Sequence, residues 1–380
     1  MAWSDIQGQE QPIQLLRRAA QRGRLGHTLL FAGPPGIGKK QVGLELAKSL
    51  LCERSSDDAL AACDQCPGCK QVAARTHPDL VIVERLKGKA ELLISQFIGD
   101  DEQRGKAGLC HELALKPMAG GRKVAIIDDA DRLNDESANA LLKTLEEPPP
   151  HSVLILIASQ AEKLLPTIRS RCQTIRFPPL STETVARLLV ELEWVEKETE
   201  ALEIAAFSDG SLQTAATLLD PQLRGQRQTI MTALAQVPFQ PIAVGNQIWS
   251  VIEDSASEVA EQREQAQWVI RFTTELLRDL LWHAVEQSTP GSDPGARKSG
   301  PSGTGLRREA SPAAKQAIDA IWRQLNSRPI DPIETIGQLL ERANLTERQL
   351  AGNANVALSL ESFWSDLGHL FRGSPVPASV

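Results

Sequence analysis

The sequence predicts a parallel α/β domain built around a phosphate-binding loop, followed by a wholly helical second half. Three observations carry this. Short apolar, strand-like runs alternate with helix-like segments through residue 178, the pattern of a parallel sheet covered by helices. A glycine-rich turn, Gly33-Pro34-Pro35-Gly36-Ile37-Gly38-Lys39-Lys40, stands between one such run and the helix after it. Beyond Pro178-Pro179 every periodic segment has helical spacing.

Taken in order, His27 to Ala32 reads as a buried strand and Gly38 to Leu51 as the helix that follows the glycine turn. Leu80 to Glu84, Lys123 to Asp128 and Ser152 to Ser159 are further strands, with a helix from Ser137 to Glu146 between the last two. The helical half begins at Ser181-Thr182-Glu183-Thr184, where a hydroxyl cap precedes Val185, Leu188 and Leu189. Val259 to Gln287 is a long helix whose apolar face is Val269, Phe272, Leu276, Leu280 and Ala284. From Ser288 to Pro312, 14 of 25 residues are Gly, Pro or Ser, a composition that cannot build a core and predicts a disordered insertion. Helical spacing resumes at Ile318, Ile321, Trp322 and Leu325, and continues in Ile333 to Ala343 and Val356 to Leu370.

The 380 residues suffice for two or three domains, and 42% apolar with 23% charged residues is a soluble globular composition. The longest apolar run, Val153 to Ala158, is far short of the roughly 20 residues of a membrane span. The opening Met1-Ala2-Trp3-Ser4-Asp5 carries no signal-peptide pattern, so a cytoplasmic protein without membrane attachment is expected. The net charge of −7 is uneven: residues 1–180 hold 24 Lys and Arg against 22 Asp and Glu, and residues 181–380 hold 17 against 26. Neither half is basic enough to bind nucleic acid as a whole, so any contact with DNA has to come from a local patch or from partners.

The glycine turn lets backbone N–H groups surround phosphate oxygens at a helix N-terminus, and Lys39 can reach the outer phosphates. The same glycines also serve a plain turn without a ligand. The P-loop pattern next requires Ser or Thr, whose hydroxyl ligates Mg²⁺; here Lys40 presents an ammonium that repels the metal. The strand ending in Asp128-Asp129 and followed by Asp131 places carboxylates where P-loop enzymes hold Mg²⁺ and polarise water, although a solvated acidic turn has the same text. Cys52, Cys63, Cys66 and Cys69 have the spacing of a closed, structural Zn²⁺ site, against the alternatives of a redox CxxC or chance clustering. His77, in Thr76-His77-Pro78-Asp79, reads as a turn histidine rather than a group supporting the metal. Cys110 and Cys172 read as small buried side chains, and Arg171 by itself as a surface ion-pair partner.

Together these segments resemble the clamp-loader subunits of bacterial DNA polymerase III, members of the AAA+ family. The matching text is Gly8-Gln9-Glu10, Gly26 to Pro34, the cysteine cluster, Thr76 to Asp79, Ile126-Ile127-Asp128, Asn139 to Pro149 with its Leu145-Glu146-Glu147-Pro148-Pro149, and Arg169-Ser170-Arg171-Cys172. Asp209-Gly210-Ser211-Leu212 and Asn353 to Glu361 extend it thinly into the second half. The resemblance implies an AAA+ core over 1–178 with a zinc module at 52–69, a helical lid over 179–222, and a helical collar over 223–380 that joins five subunits in a ring. It implies that Arg171 is an arginine finger, acting on the ATP site of an adjacent motor subunit. It also implies as partners the gamma/tau motors, the delta subunit, the sliding clamp and primed DNA. The chain departs from the motor pattern at three chemically important places: Lys40 for the hydroxyl, Asp129 for the usual Glu, and Gln213 for the lid arginine. These departures fit the delta-prime type, a stator without turnover, and leave ATP or ADP binding through Lys39 open. The competing expectations are an active motor ATPase and a zinc-stabilised adaptor that binds no nucleotide.

Overall fold

The computed structural model describes residues 2–372 apart from 56–58, 120, 237–238, 289–311, 328–330 and 353. The chain forms two compact units, residues 1–218 and 219–380. In the first, the order is α1 (Glu10–Gln21), β1 (Thr28–Ala32), α2 (Lys39–Leu50), α3 (Pro67–Ala73), β2 (Leu80–Val83), α4 (Ser95–Ile98), α5 (Leu109–Ala114), β3 (Lys123–Ile127), α6 (Asp135–Glu146), β4 (Ser152–Ala158), α7 (Pro166–Arg169) and β5 (Gln173–Arg176). Three further helices, α8 (Thr182–Glu191), α9 (Glu198–Phe207) and α10 (Leu212–Thr217), complete it.

The five strands are all parallel and lie in the order β2-β3-β4-β1-β5. Every residue of β1, β3 and β4 is buried, which is why these strands are continuous apolar runs rather than alternating ones. Alternate residues serve the two faces. Leu30, Ala125, Ile127, Leu154 and Leu156 pack with Phe97, Leu109, Leu113, Leu141 and Ile168. On the other face α2 comes so close that a side chain at Gly43 would touch Ile126, Ile155 and Ile157 at 3.7 to 3.8 Å. Edge strand β5 buries only Ile175 of its four residues, so it has no apolar run to announce it.

Helix starts follow their caps. α6 begins at Asp135, two residues before the expected Ser137, because the Asn134 side chain accepts the Ser137 N–H at 2.9 Å. α8 starts where the sequence places it, with Ser181 accepting the Thr184 N–H at 3.1 Å. The Thr76–Asp79 segment is structural: buried His77 accepts the Asp79 N–H at 3.0 Å. The fully buried Asp79 carboxylate accepts the Met118 and Ala119 N–H groups, each at 2.8 Å. It thereby fixes the loop that leads into β3.

The second unit is helical: α11 (Pro221–Leu234), α12 (Pro241–Ser255), α13 (Val259–Ser288), α14 (Pro312–Asn326), α15 (Pro332–Ala351) and α16 (Val356–Phe371). The predicted face of α13 is buried at all five positions. α15 runs eight residues past the expected Ala343, because buried Thr346 and Leu350 continue its apolar face beyond a polar interruption. The expected disordered insertion, 288–312, falls outside the described residues except at its two ends, which close α13 and open α14. Among the described residues no helix is long and apolar enough to cross a membrane.

Candidate functional site

The Gly33–Gly38 loop leaves the carboxyl end of β1 and turns directly into α2, so the N–H groups of the first helical turn face the loop. Gly36 (φ +68°) and Gly38 (φ +93°) supply left-handed conformations. Gly36 is also required for space. A Cβ there would lie 2.4 Å from the Cβ of Gln213 and 2.6 Å from its backbone N, because the start of α10 rests on the loop and the Leu212 N–H donates to the Gly36 carbonyl at 2.8 Å. Gly36→Ala should therefore destabilise the protein by about 1–3 kcal/mol, read as a lower urea midpoint with unchanged m-value. Gln9 ties the same region together from below, its buried side-chain amide donating to the Ile37 carbonyl at 3.1 Å and the Pro178 carbonyl at 3.0 Å.

Lys39 is buried and folds back into the loop, donating to the carbonyls of Gly33 (2.6 Å) and Pro34. Burial lowers its pKa to about 8, against the upward pull of Asp128, Asp131 and Asp129. The unfolded chain thus binds more protons between about pH 8 and 10.5, so this group makes folding more favourable as pH rises through that window. Any phosphate held by its charge would be held less tightly above pH 8.

Lys40 points the other way and fills the corner a metal would use. Its ammonium lies 2.8 Å from Asp128 Oδ2 and 2.9 Å from Glu84 Oε1. Burial depresses its pKa, but the hydrogen bonds to Asp128 and Glu84 outweigh this and the net shift is upward, so the cation stays in place. Asp129, left-handed at φ +51°, is held by Arg85 at 2.6 Å. Asp131 accepts the Ser159 N–H at 2.9 Å and joins the ends of β3 and β4. Asp128 thus has an ammonium where a metal would sit and Asp129 is paired at the surface with Arg85, so the residues present do not fit Mg²⁺. Glu84 and Arg85 escape sequence reasoning, since only the pairing of β2 with β3 brings them to Asp128 and Asp129.

Cys52, Cys63, Cys66 and Cys69 come together with all four sulfurs within 4.8 Å of one another. Two of the separations, Cys52–Cys66 and Cys63–Cys69, are 4.0 Å. Tetrahedral bonds of about 2.3 Å put sulfurs roughly 3.8 Å apart, so the donor set fits Zn²⁺. Backbone N–H groups of Cys63, Cys66 and Cys69 point at sulfurs at 3.3 to 3.4 Å, the donors that stabilise thiolates. Such hydrogen bonds, from Gln65 and Cys66, lower the Cys63 pKa to about 6, whereas burial raises that of Cys69. Bound Zn²⁺ would supply a four-coordinate structural cross-link between the end of α2 and the start of α3.

Arg171 stands apart from these groups. It follows α7 at the surface, donating to Glu146 Oε1 at 2.8 Å and to the Thr167 carbonyl at 2.9 Å. Because β5 runs parallel to β1 with Gln173 opposite Leu29, Arg171 lies at the amino end of the sheet and Gly33 at the carboxyl end. Six residues of strand separate the two levels, roughly 20 Å, so Arg171 cannot serve its own chain's loop. Cys172 and Cys110 are partly buried, and burial raises the pKa of both.

A parallel sheet, a glycine loop opening onto a helix and a carboxylate-tipped strand one place removed define a P-loop-type α/β protein, here with its metal corner closed by its own lysine. DNA polymerase III subunit delta' of Pseudomonas aeruginosa is 34% identical over 276 residues, 70% of this chain and 76% of that protein. The Escherichia coli protein of the same name is 32% identical over 300 residues, 78% and 81% respectively. The chain belongs to this DNA polymerase III delta-prime family. Residues 8–181 match the family described as DNA polymerase III, delta subunit. DNA polymerase III subunit tau of Escherichia coli is 30% identical over 290 residues, 74% of this chain, which spans 42% of that relative's length.

Proposed function

We propose that this chain is a non-hydrolysing clamp-loader subunit. In this role it braces the gamma/tau motors and the delta subunit in a five-membered ring, gives Arg171 to a neighbouring motor's ATP site, and helps place the sliding clamp on primed DNA. The observation that carries this is the Lys40 ammonium between Asp128 and Glu84, a cation where a turning site needs Mg²⁺. Asp129, at the position of the usual water-polarising Glu, is itself engaged by Arg85. Lys39 is the group that would meet a phosphate, so binding of ATP or ADP without turnover is compatible with this role. Position supports the finger: Arg171 is exposed and far from its own loop, and its planar, always-charged guanidinium suits the charge that builds on a transferring phosphoryl group. In this assignment residues 1–178 are the AAA+ core, 179–222 the lid and 223–380 the collar. The four cysteines hold structural zinc.

Lys40→Thr tests the assignment at its root. Mn²⁺ paramagnetic resonance with ADP should show no bound metal for the natural chain and a bound fraction for the variant, because Asp128 regains a free oxygen. Metal bound equally by both proteins would sink the proposal.

A further inference from the structure

We propose that the carboxyl end of α1, with Arg18, Arg22 and Arg24 at its centre, is a binding surface for the phosphate backbone of duplex DNA. Arg17, Arg18, Arg22 and Arg24 fall within eight residues without an intervening acid, and all four are exposed. Arg17 lies over the Trp3 ring. Among the described residues no ion pair engages Arg18, Arg22 or Arg24. Several other exposed arginines do pair with carboxylates: Arg75 with Glu84, Arg85 with Asp129, Arg171 with Glu146 and Arg187 with Glu191.

The helix does not consume these charges for its own ending. Gly23, at φ +62°, closes α1: its N–H donates to the Ala20 carbonyl and the Arg24 N–H to the Ala19 carbonyl, each at 2.8 Å. The last carbonyls are thus satisfied by backbone, and the guanidinium groups remain available to solvent. Arg18 and the C-cap Arg22 are about 6 Å apart along the helix axis, with Arg24 just past the closing turn, a span that at 3.4 Å per nucleotide faces about three successive phosphates of one strand. Arginine, with its planar fork of donors, is the side chain suited to bidentate phosphate contacts. A protein partner is the weaker match, because the patch offers one sign of charge only. The surface lies at the amino end of the sheet, where the Gly26 N–H donates to the Gln173 side chain at 3.1 Å, and it is independent of the glycine loop.

The test is fluorescence anisotropy of the full chain on a labelled duplex across a salt series. The variant is the triple Arg18→Gln, Arg22→Gln, Arg24→Gln. A control triple, Arg323→Gln, Arg348→Gln, Arg372→Gln, removes the same charge from the helical unit. Each phosphate contact contributes a slope of about 0.9 in log K against log salt, so the patch variant should lose about 2.7 of slope and bind weakly at moderate salt. Its melting temperature should be unchanged and the control should bind like the natural chain. Absence of duplex binding by the natural chain at low salt, equal slopes for natural and patch-variant proteins, or an equal loss in the control would each overturn the proposal. So would displacement of the duplex by polyglutamate at equal charge concentration, which would assign the patch to an acidic protein.

Discussion

Arg171→Ala should leave the isolated chain folded and cripple a neighbour's ATP site. The side chain is partly exposed and its contacts are Glu146 and one carbonyl, so its loss costs at most about 1 kcal/mol and hardly moves the melting temperature. An arginine finger is worth on the order of 10³ to 10⁵ in turnover at the site it serves. Reconstituted with motor subunits, clamp and primed DNA, the variant complex should lose that site's share of the steady-state ATPase while sites served by other subunits continue. Arg171→Lys separates the roles further. It keeps the charge but loses the planar fork, so a true finger is rescued poorly, whereas a surface ion pair with Glu146 is rescued well. Equal ATPase for complexes built with the natural chain and with the Arg171→Ala variant would remove the trans assignment and return Arg171 to the surface-pair role that the residue suggests on its own.

The second large effect concerns the cysteines. Elemental analysis should find one Zn²⁺ per chain, and Cys66→Ser should lose most of it, because Cys66 caps α3 with its sulfur and stands 4.0 Å from Cys52. Metal binding in small zinc modules is worth on the order of 10 kcal/mol, and an ion at these four sulfurs would stabilise the segment that joins α2 to α3. Its surroundings depend on the same geometry: Trp3 donates to Ser49 (3.1 Å) and to the Leu60 carbonyl (2.8 Å), and Lys48 pairs with Glu45 and Asp64. Chelation or Cys66→Ser should therefore open residues 52–73 to protease and lower the melting temperature by several degrees. Metal-free protein with an unchanged melting temperature would show that the cluster needs no ion. Because Cys69 must lose its proton on binding, metal retention should weaken as pH falls.

What the sequence made legible divides along physical lines. β1, β3 and β4 are buried on both faces, so their runs of Leu, Ile and Val stand out, and the five-residue face of α13 repeats often enough to be unmistakable. The glycine loop and the four cysteines are local in sequence and could be read directly. β5 was not, having one buried residue. α1, α11 and α12 went unread although Pro221 and Pro241 stand at their first positions and Ile13, Leu16 and Ala20 mark the buried face of α1. The decisive features of the metal corner were out of reach for another reason: Glu84 and Arg85 are more than forty residues from Asp128 and Asp129, and sheet pairing alone brings them together. The lysine in place of a hydroxyl could be seen in the sequence; that it is locked there by two carboxylates could not.

The central claim is that this chain carries a P-loop fold without turnover of its own, and the most direct measurement is ATP hydrolysis by the isolated full-length chain over a range of Mg²⁺ concentrations. The account predicts phosphate release indistinguishable from the protein-free background at every Mg²⁺ concentration, whether or not nucleotide binds. Steady, Mg²⁺-dependent release that disappears in Lys39→Ala would contradict it and place the protein among the motors.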